Sequence, residues 1–188
     1  MASRIDLLRA NFIRFLKSAR HSQILTGAER VLFLVYDKSD ERRLRKQIPE
    51  FESEARTHGY QVHHLDLTAD FAVWLSVHDY RESYYEEPAD LEPAFEDLEA
   101  LIANRINKAL QEFGDEQRSV LILSGVGNFF GLIKVSKVLN RIEENVRGYL
   151  AVFFPGEYRD KIYRLFDARD GWNYHAIPIT AQEEEIFR

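Results

Sequence analysis

The sequence predicts an α/β fold, a three-layer arrangement with a mostly parallel sheet of about five strands, and three observations support it. Short, almost wholly apolar runs recur at 31–36, 120–123 and 149–154, and a run without polar alternation marks a strand buried on both faces beneath helices. Between these runs lie longer stretches whose apolar residues recur at helical spacing. Alternating strands and helices, with no internal repeat, imply right-handed crossovers and helices on both faces of one sheet. The chain has 188 residues, 45% of them hydrophobic, which is enough for one domain over 1–188 with a sizeable core.

Each element has its own signal. Ser3 and Asp6 form a weak capping box, and Ile5, Leu8, Phe12, Phe15 and Leu16 make an amphipathic helix over 3–20. A linker containing Gly27 leads to the first strand, which ends at Asp37-Lys38-Ser39-Asp40-Glu41, a helix-starting sequence. Leu44, Ile48, Phe51 and Ala55 carry the next helix to Gly59, with Pro49 expected to kink or interrupt it. The second strand is placed at about 61–67, followed by a short helix through Phe71, Val73, Trp74 and Leu75, capped by Thr68 or Asp70. The stretch 80–88 reads as an acidic, aromatic connection, and Pro88 and Pro93 open a long helix with Leu98, Ile102, Ile106 and Leu110 on its apolar face. The third strand runs into a Ser124-Gly125-Val126-Gly127 loop. A helical stripe from Val135 to Val146 follows, then the fourth strand at 149–154 and a fifth at 174–179. Pro178 suits a sheet edge, because it cannot donate a ladder hydrogen bond.

Composition narrows the function classes. The absence of cysteine excludes disulfides, thiolate metal sites and a cysteine nucleophile. No apolar run approaches the roughly 18 residues of a membrane span, and the polar N-terminus lacks a signal core, so a soluble cytoplasmic protein is expected. A net charge of −6 argues against the whole surface binding nucleic acid. The charge is uneven, however. Arg4, Arg9, Arg14, Lys17 and Arg20 oppose Asp6 alone, and Arg42, Arg43, Arg45 and Lys46 form a second basic cluster, whereas 79–99 holds nine acids against Arg81. Both kinds of run suit solvated helix faces; the basic N-terminal helix leaves DNA contact open, and the acidic segment suits a basic partner.

No catalytic motif is complete. The glycines of Gly125-Val126-Gly127-Asn128-Phe129-Phe130-Gly131 miss the dinucleotide spacing, and the phosphate loop's Gly-Lys-Ser/Thr is absent, so a tight strand-to-helix turn is the favoured reading. In an open parallel sheet, sites lie beyond the carboxyl ends of the strands. Asp37, Asp66 and Glu157 sit there and would make an oxygen-ligand set for magnesium if they converged, although carboxylates at strand ends more often cap the next turn. His64 and Asp66 share a strand face and suit either a base-orienter pair or a structural hydrogen bond, while His63 points the other way. In the segment 164–172, Arg164 and Arg169 can pair with Asp167 or Asp170 by forked hydrogen bonds, and Asp170-Gly171 signals a turn. With Trp172, this composition suits a loop scaffold and an interface hot spot equally.

The run Phe153-Phe154-Pro155-Gly156-Glu157-Tyr158, followed by Tyr163-Arg164-Leu165-Phe166-Asp167-Ala168-Arg169-Asp170-Gly171-Trp172-Asn173-Tyr174 and Ile177-Pro178-Ile179, resembles the signature of the BrxB family of BREX phage-defence systems. Arg4-Ile5-Asp6-Leu7-Leu8, Val35-Tyr36-Asp37, Asp66-Leu67-Thr68, Tyr80-Arg81-Glu82-Ser83-Tyr84 and Ser124-Gly125-Val126-Gly127 extend the resemblance along the chain. Arg159-Asp160-Lys161-Ile162 departs from the small polar residues expected at that point. The resemblance implies a non-catalytic component, without a cofactor, of a complex that restricts phage DNA. It also implies association with the alkaline-phosphatase-like protein PglZ, and through PglZ with the BREX methyltransferase and AAA ATPase. Arg164, Asp167, Arg169, Asp170 and Trp172, with Tyr84 and Tyr85 in the acidic segment, are the candidate protein-binding residues. By fold analogy alone, the sheet is a degenerate relative of P-loop ATPase folds that lacks the phosphate-binding loop. The competing expectation is a metal-dependent nuclease or nucleotide-binding enzyme built on Asp37, Asp66 and Glu157.

Overall fold

Leu32, Leu34 and Tyr36 lie on one side of the first strand and Val31, Phe33 and Val35 on the other, and all six are buried. That double burial fixes the layering seen in the computed structural model, which describes residues 2–18, 27–113, 116–166, 168 and 174–182. The strands are β1 (Val31–Tyr36), β2 (Gln61–Asp66), β3 (Ser119–Ser124), β4 (Tyr149–Arg159), β5 (Ile162–Leu165) and β6 (Ile177–Ile179). Their order is β2-β3-β4-β1-β6, parallel throughout, with β5 antiparallel to β4. Helices α1 (Arg4–Ser18) and α2 (Glu41–Thr57) cover one face, where Phe12, Leu16, Leu44 and Phe51 pack on Leu32, Leu34, Ile122 and Phe153. The other face carries α3 (Asp70–Ser76), α4 (Arg81–Glu86), α5 (Phe95–Gln111) and α6 (Val135–Asn140). There Trp74, Leu98, Ile102, Ile106 and Leu139 pack on Phe33, Leu121, Val152 and Phe154.

Several elements differ from the sequence reading. Helix α2 runs through Pro49 without interruption. The proline sits on the exposed side, while Leu44 and Ile48 before it and Phe51 and Ala55 after it are all buried against the sheet. The 80–88 connection contains α4, which buries none of its residues. The stripe from Val135 to Val146 is split into α6 and a 3₁₀ turn at Glu143–Asn145, and Tyr174 Oη donates to Glu143 Oε2 at 2.6 Å. The last strand is shorter than expected, 177–179 rather than 174–179. Pro178 lies in this edge strand, where one row of backbone groups needs no strand partner.

The largest difference follows Phe154. Pro155-Gly156 resembles a turn in sequence, yet β4 continues through it to Arg159 and folds back as β5. Gly156 permits this because a Cβ there would lie 2.0 Å from the Arg164 carbonyl oxygen. Glycine in a strand marks such a close backbone approach. The hairpin reverses at Asp160 and Lys161, whose φ angles are 53° and 63°, and two successive left-handed residues make the turn that matches strand twist. Tyr163 is fully buried and donates to the Ala176 carbonyl at 2.7 Å, fastening the hairpin to the segment before β6.

The β2 edge is guarded at both ends: Arg56 donates to the Val62 carbonyl at 3.0 Å and Arg105 lies 3.4 Å from the Asp66 carbonyl. Among the described residues, no helix is long and apolar enough to cross a membrane.

Candidate functional site

The carboxyl ends of the strands carry the residues that the sequence singles out, and most of them close turns. Asp37 Oδ1 accepts from the Ser39 backbone N–H at 2.8 Å and from Ser39 Oγ at 2.5 Å, and these bonds hold its carboxyl below the ordinary range. Asp66 Oδ1 does the same for Thr68, at 2.9 and 2.5 Å. Burial alone would raise the Asp66 pKa, but the Thr68 and Ser124 hydrogen bonds outweigh it and the net direction is downward. Neither Thr68 nor Asp70 caps α3 with its side chain. Asp70 is instead a buried carboxylate paired with Arg105.

These carboxylates are not brought to one point. Asp66 ends β2 and Glu157 lies on β4, with β3 between them. Among the described residues, no three His, Asp or Glu side chains group so as to hold a metal ion.

His64 is bound into a network beside them. Its Nε2 lies 2.8 Å from Ser124 Oγ, Ser124 Oγ is 3.3 Å from Asp66 Oδ1, and Glu52 stands 3.7 Å from His64 Nδ1. Burial lowers the His64 pKa despite Glu52 and Asp66, so the ring is neutral near pH 7. The chain of bonds ties β2 to β3 and to α2. His63 faces the opposite layer and pairs with Glu112 at 3.0 Å. The glycine loop is a tight turn. Gly125 has φ 84°, and a Cβ there would meet the Thr68 backbone N–H at 2.5 Å.

The basic N-terminal helix is largely neutralised on its inner side. Arg4 lies 2.9 Å from Asp40 and 3.6 Å from Asp37, and Arg9 contacts Asp6, Glu50 and Glu54. Arg14 and Lys17 remain exposed.

The candidate protein-binding residues divide. Asp167, Arg169, Asp170 and Trp172 lie outside the described residues. Arg164 is half-buried, stands opposite Glu157 in the hairpin register and makes no hydrogen bond or ion pair among the described residues. Tyr84 packs its ring 5.1 Å from His78, which in turn lies 5.3 Å from Trp74. Tyr85 is 65% exposed, and the structure adds neighbours in sequence that composition did not single out: Val73 at 61%, Val77 at 75% and Tyr80 at 67%. The available signal was α3 itself, whose Phe71, Val73, Trp74 and Leu75 are too many apolar residues for the single buried face of a seven-residue helix. Asp79, Glu82, Glu86, Glu87 and Asp90 surround this apolar surface in sequence. An exposed apolar patch with a charged rim marks a contact surface.

Fold and site together define a three-layer α/β protein whose strand-end carboxylates hold turns and whose unpartnered surface is apolar and acidic. A family model described as BREX protein BrxB matches residues 78–179. The chain belongs to the BrxB family and is a component of a BREX phage-defence system. No curated protein and no solved structure matches it.

Proposed function

We propose that this chain is a non-catalytic assembly subunit of its BREX system that binds the PglZ-type protein and, through it, the methyltransferase and AAA ATPase. The observation that carries the reading is the solvent-facing Val73, Val77, Tyr80 and Tyr85 within one short stretch that also holds Asp79, Glu82, Glu86 and Glu87. Apolar side chains at such exposure add nothing to the fold, whereas aromatic anchors ringed by acids suit a basic partner surface. The strand-end carboxylates support the same reading, because Asp37 and Asp66 spend their oxygens on Ser39 and Thr68.

Co-precipitation with the PglZ-type protein tests it. Tyr80→Ala/Tyr85→Ala should lose capture while thermal unfolding is unchanged, since α4 buries nothing. Full capture by the double variant would remove this surface from the proposal; Arg169→Ala and Trp172→Ala test the C-terminal candidates in the same assay.

A further inference from the structure

A second contact site lies at the opposite layer of the molecule. Strand β1 passes into α2 on one face, whereas its neighbour β4 passes into β5, whose Tyr163 and Leu165 pack on the other face. Two adjacent parallel strands whose continuations diverge leave a crevice at their carboxyl ends, the place where open α/β sheets bind ligands. Here the crevice is a cleft of about 720 Å³. Its floor is apolar, from Ile5, Leu7 and Leu8 of α1 and Val35 of β1, with Leu7 38% exposed. Its rim carries Asp37, Asp40, Glu157 and Asp160 against Arg4 and Arg159, an excess of two negative charges.

The rim already holds one guanidinium. Arg4 sits 2.9 Å from Asp40 and 3.6 Å from Asp37, and lies 3.4 Å from Ser39 Oγ. Across the cleft, Glu157 is exposed and has no hydrogen bond or ion pair among the described residues, and Arg159 contacts only the adjacent Asp160, at 3.9 Å. One side of the cleft therefore has its cation, and the other presents free carboxylate beside an apolar floor.

We propose that this cleft docks an extended partner segment that alternates arginine with apolar side chains, the arginines pairing with Glu157 and Asp160 and the apolar residues resting on Leu7 and Leu8. An extended strand sends alternate side chains to opposite sides, as a cleft with a charged wall and an apolar floor requires. Arginine fits because its planar fork can meet a carboxylate through two parallel hydrogen bonds. The inference rests on the reading of the chain as a binding subunit but uses a surface separate from Tyr80 and Tyr85.

The probe is a fluorescent hexapeptide alternating arginine and leucine, titrated into the full chain and followed by anisotropy. Glu157→Gln/Asp160→Asn should weaken binding roughly tenfold. Both positions are exposed, and asparagine suits the left-handed backbone at 160, so the variant keeps its fold. The control, Glu82→Gln/Glu86→Gln, removes the same charge from α4 and should change binding less than about twofold. Leu7→Ser should weaken binding independently of charge. Equal weakening by the two charge variants, or none by the cleft variant, overturns the proposal. Either outcome leaves the adaptor reading standing, because that reading is decided by PglZ capture through α4.

Discussion

The tip of the β4–β5 hairpin offers a sharp test of the local energetics. Asp160 and Lys161 both occupy the left-handed region, at φ 53° and 63°. Crowding between Cβ and the carbonyl oxygen costs a non-glycine residue about 1–2 kcal/mol there. Aspartate tolerates the region, but lysine has no local hydrogen bond to offset the strain. Replacing the pair by Asn-Gly supplies the residues that this two-residue turn favours. Glycine returns part of the gain through its more flexible unfolded chain, roughly 0.5–1 kcal/mol. The net expectation for Asp160→Asn/Lys161→Gly is a stabilisation of about 0.5–1 kcal/mol, with no packing lost because both side chains are exposed. For a chain of this size that is a rise of about 1–4 °C in Tm. Urea unfolding at constant m-value reads it directly. An unchanged or lower midpoint would refute the strain argument.

Three further outcomes follow from the geometry. Tyr163→Phe deletes the donor to the buried Ala176 carbonyl and should cost about 1–3 kcal/mol in urea unfolding; a loss below about 0.5 kcal/mol would mean that water or a shifted donor replaces the bond. Gly156→Ala forces a Cβ against the Arg164 carbonyl, so it should destabilise by at least about 2 kcal/mol and expose the hairpin to limited proteolysis, whereas Gly131→Ala meets no neighbouring atom and is strained by its φ of 77° alone. His64 has a lowered folded pKa, so the unfolded chain takes up its proton first; stability is full above roughly pH 6.5 and falls as pH drops through the unfolded and then the folded pKa. His64→Gln should flatten that decline in a pH series of unfolding midpoints, and an identical decline in the variant would assign it to other groups.

The layered architecture was legible because β1, β3 and β4 are apolar on both faces, a pattern that no amphipathic helix shares. The hairpin was not legible. Pro155-Gly156 is ordinarily turn chemistry, and what keeps it extended is the approach of the Arg164 backbone, a contact between residues that become neighbours only after folding. Asp160-Lys161 then hides the true reversal, since neither residue advertises a left-handed turn. Asp37 and Asp66 were legible as turn-closing carboxylates, because Ser39 and Thr68 stand two residues beyond them. The Ser124 contact of His64 was not, because it depends on the register of β2 against β3. The exposed face of α3 and α4 could be suspected from an excess of apolar residues, but which of them would face outward depends on how Trp74 and Tyr84 pack around His78.

The guarded edges of the sheet bear on how such a subunit behaves in company. An open strand edge is a template on which a neighbouring chain can crystallise a new strand, and this leads crowded proteins toward fibres. Here Arg56 and Arg105 occupy carbonyls at both ends of β2, and the opposite edge is only Ile177–Ile179 with a proline at its centre. Backbone-to-backbone recruitment is thereby discouraged on both flanks. A protein built this way can be concentrated inside a large machine without polymerising, and its neighbours must recognise it by side chains.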